Sequence, residues 1–146
     1  MNGAVRNWPK SRDLPDEDAT LAFGAELAAC LTGNERIYLH GDLGMGKTTL
    51  VRGLLRALGH SGPVKSPTYT LIEPYEVGGM SLYHLDLYRI ADPAELAYIG
   101  LDELMEERAI IMVEWPEQAG DELPPADLVL RLGPQGEGRH IEVQTS

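Results

Sequence analysis

The chain has 146 residues, with 12 lysines and arginines against 23 aspartates and glutamates, a formal net charge of −11. That length holds one domain able to bury a core without staples, and the lone cysteine, Cys30, excludes an internal disulfide and suits a reducing cytoplasm. The acidic field disfavours direct binding of nucleic acid, no apolar run approaches the roughly 20 residues of a membrane span, and the N-terminus lacks the apolar stretch of a secretory signal.

Residues 1–13, with Arg6, Lys10 and Arg12, read as a flexible tail, and residues 14–146 as a single domain. From Asp16 to Leu31 the segment is led by acids, and Leu21, Ala25, Ala28 and Leu31 recur at helical spacing, which predicts a helix with those residues on one face. Gly33-Asn34 is a turn and Arg36–His40 a short strand. The glycine-rich segment Gly41–Gly46 leads into a helix from Lys47 to Leu58 that Gly59 ends.

Tyr69–Tyr75 and Met80–Asp86 read as two strands, joined by Val77-Gly78-Gly79 with the positive-φ residues of a hairpin turn. Asp92-Pro93-Ala94-Glu95 sets an N-cap, a first-turn proline and a capping acid in order for a short helix, which Gly100 stops. Leu101–Arg108 is a second acidic helical stretch. Ala109–Val113 has the composition of a buried strand that ends at Glu114 and is broken by Pro116. Two more strands, Asp127–Leu132 and His140–Gln144, flank the turn-rich stretch 133–138. Because a tight hairpin interrupts the βα alternation, the pattern predicts an α/β fold with a mixed sheet.

Gly41-Asp42-Leu43-Gly44-Met45-Gly46-Lys47-Thr48 fits G-x-x-x-x-G-K-[ST] at every defined position, with a strand before it and a helix after it. Its glycines let successive backbone N–H groups, from Asp42 through Gly46, curl around phosphate oxygens, and the helix adds its positive end. Lys47 reaches β- and γ-phosphates, and the Thr48 hydroxyl is suited to ligate Mg²⁺. The reading is a three-layer P-loop NTPase-like domain.

Such an enzyme also needs an acid at the end of a neighbouring strand. Glu114 closes Ile-Ile-Met-Val-Glu, and Asp86 closes Leu-Tyr-His-Leu-Asp. One can hold Mg²⁺ while the other orients or deprotonates the attacking water; spacing does not choose between them. For each the competing reading is a solvated strand-end acid. Thr68, in Ser66-Pro67-Thr68, lies where many P-loop proteins keep a threonine that senses Mg²⁺ and the γ-phosphate, although an ordinary turn reads the same way. Trp115 reads first as a core aromatic, and Glu103, Glu106 and Glu107 as a solvated face that could dock a basic partner. The four histidines lack metal-ligand spacing, so a zinc site is not expected.

Neither N-K-x-D nor D-x-x-G occurs, which favours ATP over GTP by elimination. Arg52 and Arg56 fall within the helix after the loop, and no arginine-bearing lid is visible, which disfavours a small-molecule kinase. The residues alone reach a small Mg²⁺-dependent ATPase with no identified acceptor.

Six strings in order carry a resemblance: Leu14–Thr20, Tyr38–Leu50, Lys65–Tyr75, Tyr83–Leu96, Ile99–Leu104 and Val113–Gln118, with a weaker match at Gly138-Arg139. In these the chain resembles the TsaE (YjeE) family, the ATPase component of bacterial tRNA threonylcarbamoyladenosine synthesis. The resemblance implies slow ATP hydrolysis, weak in the isolated protein, and partnership with TsaB and TsaD. It implies tRNA as an indirect partner, modified at the adenosine of position 37, with ATP turnover resetting the complex. It places Lys47, Thr48 and Thr49 at phosphate and Mg²⁺, makes Thr68 switch-like and makes Asp86 and Glu114 active-site acids, with Glu114 near Mg²⁺. Glu17 and Gly138 are implied near the nucleotide. Met45 departs from the alanine common in the family, at a position where only the backbone faces phosphate. A stand-alone small-molecule kinase is the alternative, and a nucleotide-gated binding module is a third reading. Lys47→Ala is expected to abolish nucleotide-dependent function, and Glu114→Ala to lose turnover more than folding, on the ground that a strand-end acid contributes little to a core.

Overall fold

Short apolar segments with no polar side of their own are satisfied only in a sheet covered on both faces. The computed structural model, which describes residues 7–145, builds such a sheet. In chain order its elements are β1 (Arg12–Leu14), α1 (Glu17–Ala28), β2 (Arg36–His40), α2 (Lys47–Ala57), β3 (Ile72–Val77) and β4 (Met80–Asp86). A 3₁₀ helix (Pro93–Ile99) leads into α3 (Leu101–Glu106), β5 (Ile110–Glu114), a second 3₁₀ turn (Pro116–Ala119), β6 (Leu128–Gln135) and β7 (Gly138–Thr145). The strands lie in the order β1-β7-β6-β2-β5-β4-β3. The central four, β6, β2, β5 and β4, are parallel, and antiparallel strands close both edges. This is the expected mixed α/β sheet.

The two-residue period of the strands divides the core. Ile37, Leu39, Ile110 and Met112 face Phe23, Leu27, Leu50 and Leu54 of α1 and α2. Tyr38, Ile111 and Val113 face the opposite way, onto Leu96, Leu101, Leu104 and Ala119. Helical layers therefore cover both faces. No helix among the described residues is long and apolar enough to cross a membrane.

Local chemistry sets the helix ends, although α1 stops at Ala28, short of the predicted Leu31. The Asp16 carboxylate accepts from Ala19 N at 2.8 Å and caps α1. At the end of α2, Gly59 takes φ 103°, Gly59 N donates to Arg56 O and His60 N donates to Leu55 O, which satisfies two terminal carbonyls.

The buried face of α1 differs from the predicted one. Thr20, Phe23, Gly24, Leu27 and Ala28 are buried, Ala25 is exposed, and Leu21 is half-buried. Hydrophobicity misled here because α1 and α2 meet through glycines. A Cβ on Gly24 would lie 2.2 Å from Leu50 O, and one on Gly53 would lie 2.3 Å from Leu21 O. Alanine for glycine inside a helix normally gains up to about 1 kcal/mol. Here Gly53→Ala is expected to destabilise the chain by about 2 kcal/mol or more, because backbone must move apart. Urea denaturation decides the sign; a stabilised variant would mean the helices do not cross this closely.

Three other boundaries move. The strand expected from Tyr69 begins at Ile72, because the preceding residues form a turn in which Leu71 N donates to Pro67 O at 2.8 Å. The β6–β7 ladder runs to Gln135 opposite Gly138, so most of the predicted loop is strand; Pro134 is tolerated because β2 has already ended alongside it. Arg12 and Asp13, expected in the flexible tail, pair with Ile141 and His140 in β1. Arg12 also clasps Glu26 at 2.6 Å, and His140 meets Asp13 at 2.8 Å. Three residues are too few to show a periodicity. The part of the tail reading that falls on residues 1–6 lies outside the described residues.

Burial pushes the Tyr38 hydroxyl up to about 12, and that hydroxyl donates to Pro124 O. Between pH 10 and 12 the unfolded chain releases this proton while the folded chain keeps it, so stability falls as pH rises. The expected loss approaches 2–3 kcal/mol, on the order of 1.4 kcal/mol per pH unit. Tyr38→Phe should flatten that slope in denaturant titrations at high pH.

Candidate active site

Parallel strands deliver their C-terminal ends, and the loops that follow them, to one edge of the sheet. β2 ends there in the loop 41–46, with Gly41, Gly44 and Gly46 at φ 150°, 79° and 96°. Gly41 also needs to lack a side chain, since a Cβ would sit 2.9 Å from Leu132 O. Gly46 caps α2 with no side-chain acceptor, so the first amides of α2 have no cap of their own. Beside this loop opens a cleft of about 320 Å³, within the usual range for small-molecule sites.

Lys47, the first residue of α2, is only 4% exposed. Its ammonium donates to Gly41 O and lies 4.0 Å from the centre of the Trp115 ring. Among the described residues no carboxylate comes within 4.0 Å of it. Burial pulls its pKa below the ordinary lysine value, with the field of Glu114 and then Asp86 opposing. A buried ammonium without a direct anion is costly unless an anion completes it.

The register sets Asp86 beside Glu114 at the ends of β4 and β5, and Glu114 beside Leu39 of β2. Both acids are 4% exposed. They are therefore not the solvated strand-end acids of the competing reading. Thr48 donates to Glu114 Oε2 at 3.0 Å, and His84 Nε2 lies 2.6 Å from the same oxygen. Asp86 accepts from Thr68 at Oδ2 (3.1 Å) and from Tyr88 N at Oδ1 (2.9 Å). Thr68 also meets Ser66 Oγ at 2.8 Å, and Asp86 N donates to Leu71 O, so the segment 66–71 lies against the end of β4.

Leu43, Gly44, Met45, Gly46, Lys47, Thr48 and Thr49 line the cleft, as do Thr68, Asp86 and Glu114. Glu17 lines its rim and pairs with Arg52 at 3.0 Å; both are exposed enough that this pair adds little stability. Asp42 and Gly138 do not line the cleft. Asp42 is exposed, with its carbonyl closing the loop onto Met45 N at 3.2 Å. Gly138 packs under the start of the domain, where a Cβ would meet Leu14 O at 2.7 Å.

The next residue, Arg139, enters the cleft instead and donates to Gly44 O at 2.7 Å. Trp115, read from sequence as core, is half-buried and lines the cleft with φ 55°. Thr20, Ser66 and His84 were given no role of their own, although each falls inside one of the strings that carry the resemblance, and Arg139 falls inside its weaker match. Nothing in a single strand shows that its histidine will face an acid on the next.

The donor set suits a hard cation shared with phosphate. Among the described residues no cluster of three or more His, Cys, Asp or Glu could hold a metal unaided. A hydroxyl and two carboxylates beside an amide-rich loop match Mg²⁺, which takes one or two carboxylates and completes its shell with phosphate and water.

Residues 14–141 match the family described as "Threonylcarbamoyl adenosine biosynthesis protein TsaE". The chain is 44% identical over 135 residues to the tRNA threonylcarbamoyladenosine biosynthesis protein TsaE of Haemophilus influenzae, covering 89% of this chain and 85% of that one. It is 37% identical to the protein of the same name from Bacillus subtilis, over 84% of this chain and 75% of the relative. The crystal structure of YdiB from Bacillus subtilis superposes with a TM-score of 0.78 at 28% identity, covering 93% of this chain and 85% of that one.

Proposed function

The chain belongs to the TsaE family, and from that premise we propose that it is a Mg²⁺-dependent ATPase of tRNA threonylcarbamoyladenosine synthesis. It acts in the cytoplasm with TsaB and TsaD, meets tRNA only through them, and uses ATP hydrolysis to reset the complex between modifications at position 37. The observation that carries the ATPase reading is Lys47: a buried ammonium in an amide-lined loop, with no anion in contact among the described residues, facing two buried acids.

In this reading the amides of residues 43–47 and the Lys47 ammonium bind the β- and γ-phosphates of ATP. Thr48 and Glu114 would hold Mg²⁺, whose charge stabilises the phosphate oxygens when it is bound. Glu114 suits that role because no described residue donates to its Oε1, whereas both oxygens of Asp86 already accept. Asp86, held by Tyr88 N and Thr68, orients the attacking water. Thr68 is free to exchange its bond to Asp86 for one nearer the γ-phosphate, which would move the segment 66–71 with it. The net charge of −11 fits a regulator that meets proteins and leaves tRNA to its partners.

The test is ATP turnover by the chain alone and with purified TsaB–TsaD, with Lys47→Ala as the blank. Slow turnover that rises with the partners supports the reading. Turnover indifferent to them would count against the resetting role, and phosphate transfer to a small acceptor would favour a kinase.

A further inference from the structure

His84 sits on β4, one strand in from the β3 edge, and is 0% exposed, a burial that costs a polar ring free energy unless a hydrogen bond compensates. On β4 it lies two residues before Asp86 and opposite Met112 in the register, so its ring reaches towards the end of β5. Its Nε2 lies 2.6 Å from Glu114 Oε2, while its Nδ1 has no hydrogen-bond partner among the described residues. A carboxylate only accepts, so Nε2 carries the hydrogen of this bond.

The two donors to Glu114, Thr48 and His84, converge on Oε2. That leaves Oε1 without a donor among the described residues. Thr48 belongs to the phosphate loop and must serve nucleotide and cation as well. His84 has no exposed surface and, among the described residues, no second hydrogen-bond partner, so no other protein group competes for its contact with Glu114.

We propose that His84 is a positioning residue, which holds Oε2 of Glu114 so that Oε1 is presented to the Mg²⁺ of a bound nucleotide. The proposal rests on the ATPase reading above. Oriented carboxylates lose tenfold to a hundredfold in metal affinity or activity when the group that holds them is removed.

The test compares three variants. His84→Leu fills the volume without a donor. His84→Gln carries its amide to about where Nε2 lies, and His84→Asn carries one only as far as Nδ1. ADP affinity is measured by calorimetry with and without Mg²⁺, together with kcat and KM for ATP. In the free chain, the ring N–H proton is followed by NMR. His84→Leu and His84→Asn are expected to lose about tenfold or more of the Mg²⁺-dependent gain in ADP affinity and of kcat. Metal-free ADP affinity and KM should change less than about threefold, and His84→Gln should recover most of both losses.

In the wild-type free chain the ring proton should exchange slowly and shift in Glu114→Gln. If His84→Leu fails to fold, the contrast between Gln and Asn decides. Equal behaviour of the folded Gln and Asn variants, or an undiminished Mg²⁺ effect in His84→Leu, would overturn the positioning role. A wild-type chain that binds ADP with no Mg²⁺ effect would overturn it together with the ATPase reading, whereas loss of the variant contrast alone leaves that reading standing.

Discussion

Lys47→Ala is expected to weaken ATP binding at least about a hundredfold and to abolish turnover, while the free chain melts at or above the wild-type temperature. The two effects have opposite signs for one reason. The ammonium is 4% exposed and touches a carbonyl and a ring, and burial lowers its pKa more than Glu114 and Asp86 raise it. Its charge therefore costs the free fold stability, and phosphate makes the charge useful. Two charge-assisted bonds to phosphate at about 1.5–3 kcal/mol each account for a factor of a hundred or more. Calorimetry with ATP and thermal denaturation of the free chain check the two halves separately. A variant that binds ATP normally would remove Lys47 from the phosphate site, and one that melts far below wild type would make it a structural residue. Trp115 gives an internal signal, since its fluorescence should respond when the ammonium leaves the ring for phosphate.

Glu114→Gln is the second large effect: turnover should fall on the order of a hundredfold to a thousandfold, with metal-free nucleotide affinity within a few-fold of wild type. The amide preserves shape and can still accept from His84 and Thr48, so the fold should survive. Glu114→Ala is the poorer probe. The expectation that a strand-end acid contributes little to the core fails here, because Glu114 is buried and receives both donors. Truncation leaves a buried N–H unpaired at a cost of about 1–3 kcal/mol. Steady-state kinetics on the Gln variant and urea denaturation of both variants separate the chemical from the structural contribution. A Gln variant with wild-type turnover would shift the leading role to Asp86.

Much of this protein was legible before its fold. The loop Gly41–Thr48 announces itself because the chemistry that binds phosphate is written in contiguous residues, with glycines where the backbone must take positive φ. Glu114 and Asp86 were legible because a buried parallel strand that ends in an acid is conspicuous in a line of aliphatic residues. Helix ends were equally local: the Asp16 cap and Gly59 depend on residues within one turn.

What escaped the sequence depends on distance along the chain. Gly24 and Gly53 count as weak helix formers until two helices are seen to cross at their backbones. Arg139 reaches the phosphate loop from β7, 95 residues after the Gly44 carbonyl it meets. β1 exists only because β7 offers it an edge, and His84 has meaning only once β4 and β5 lie in register. The sequence alone determined where the glycine-rich loop turns and where the central strands run, because those properties arise from neighbours in the chain. The tertiary structure alone decided which face of α1 is buried, which arginine enters the cleft and how Glu114 is held. Those depend on the order and register of strands, which the hydrophobic pattern of any single segment leaves open.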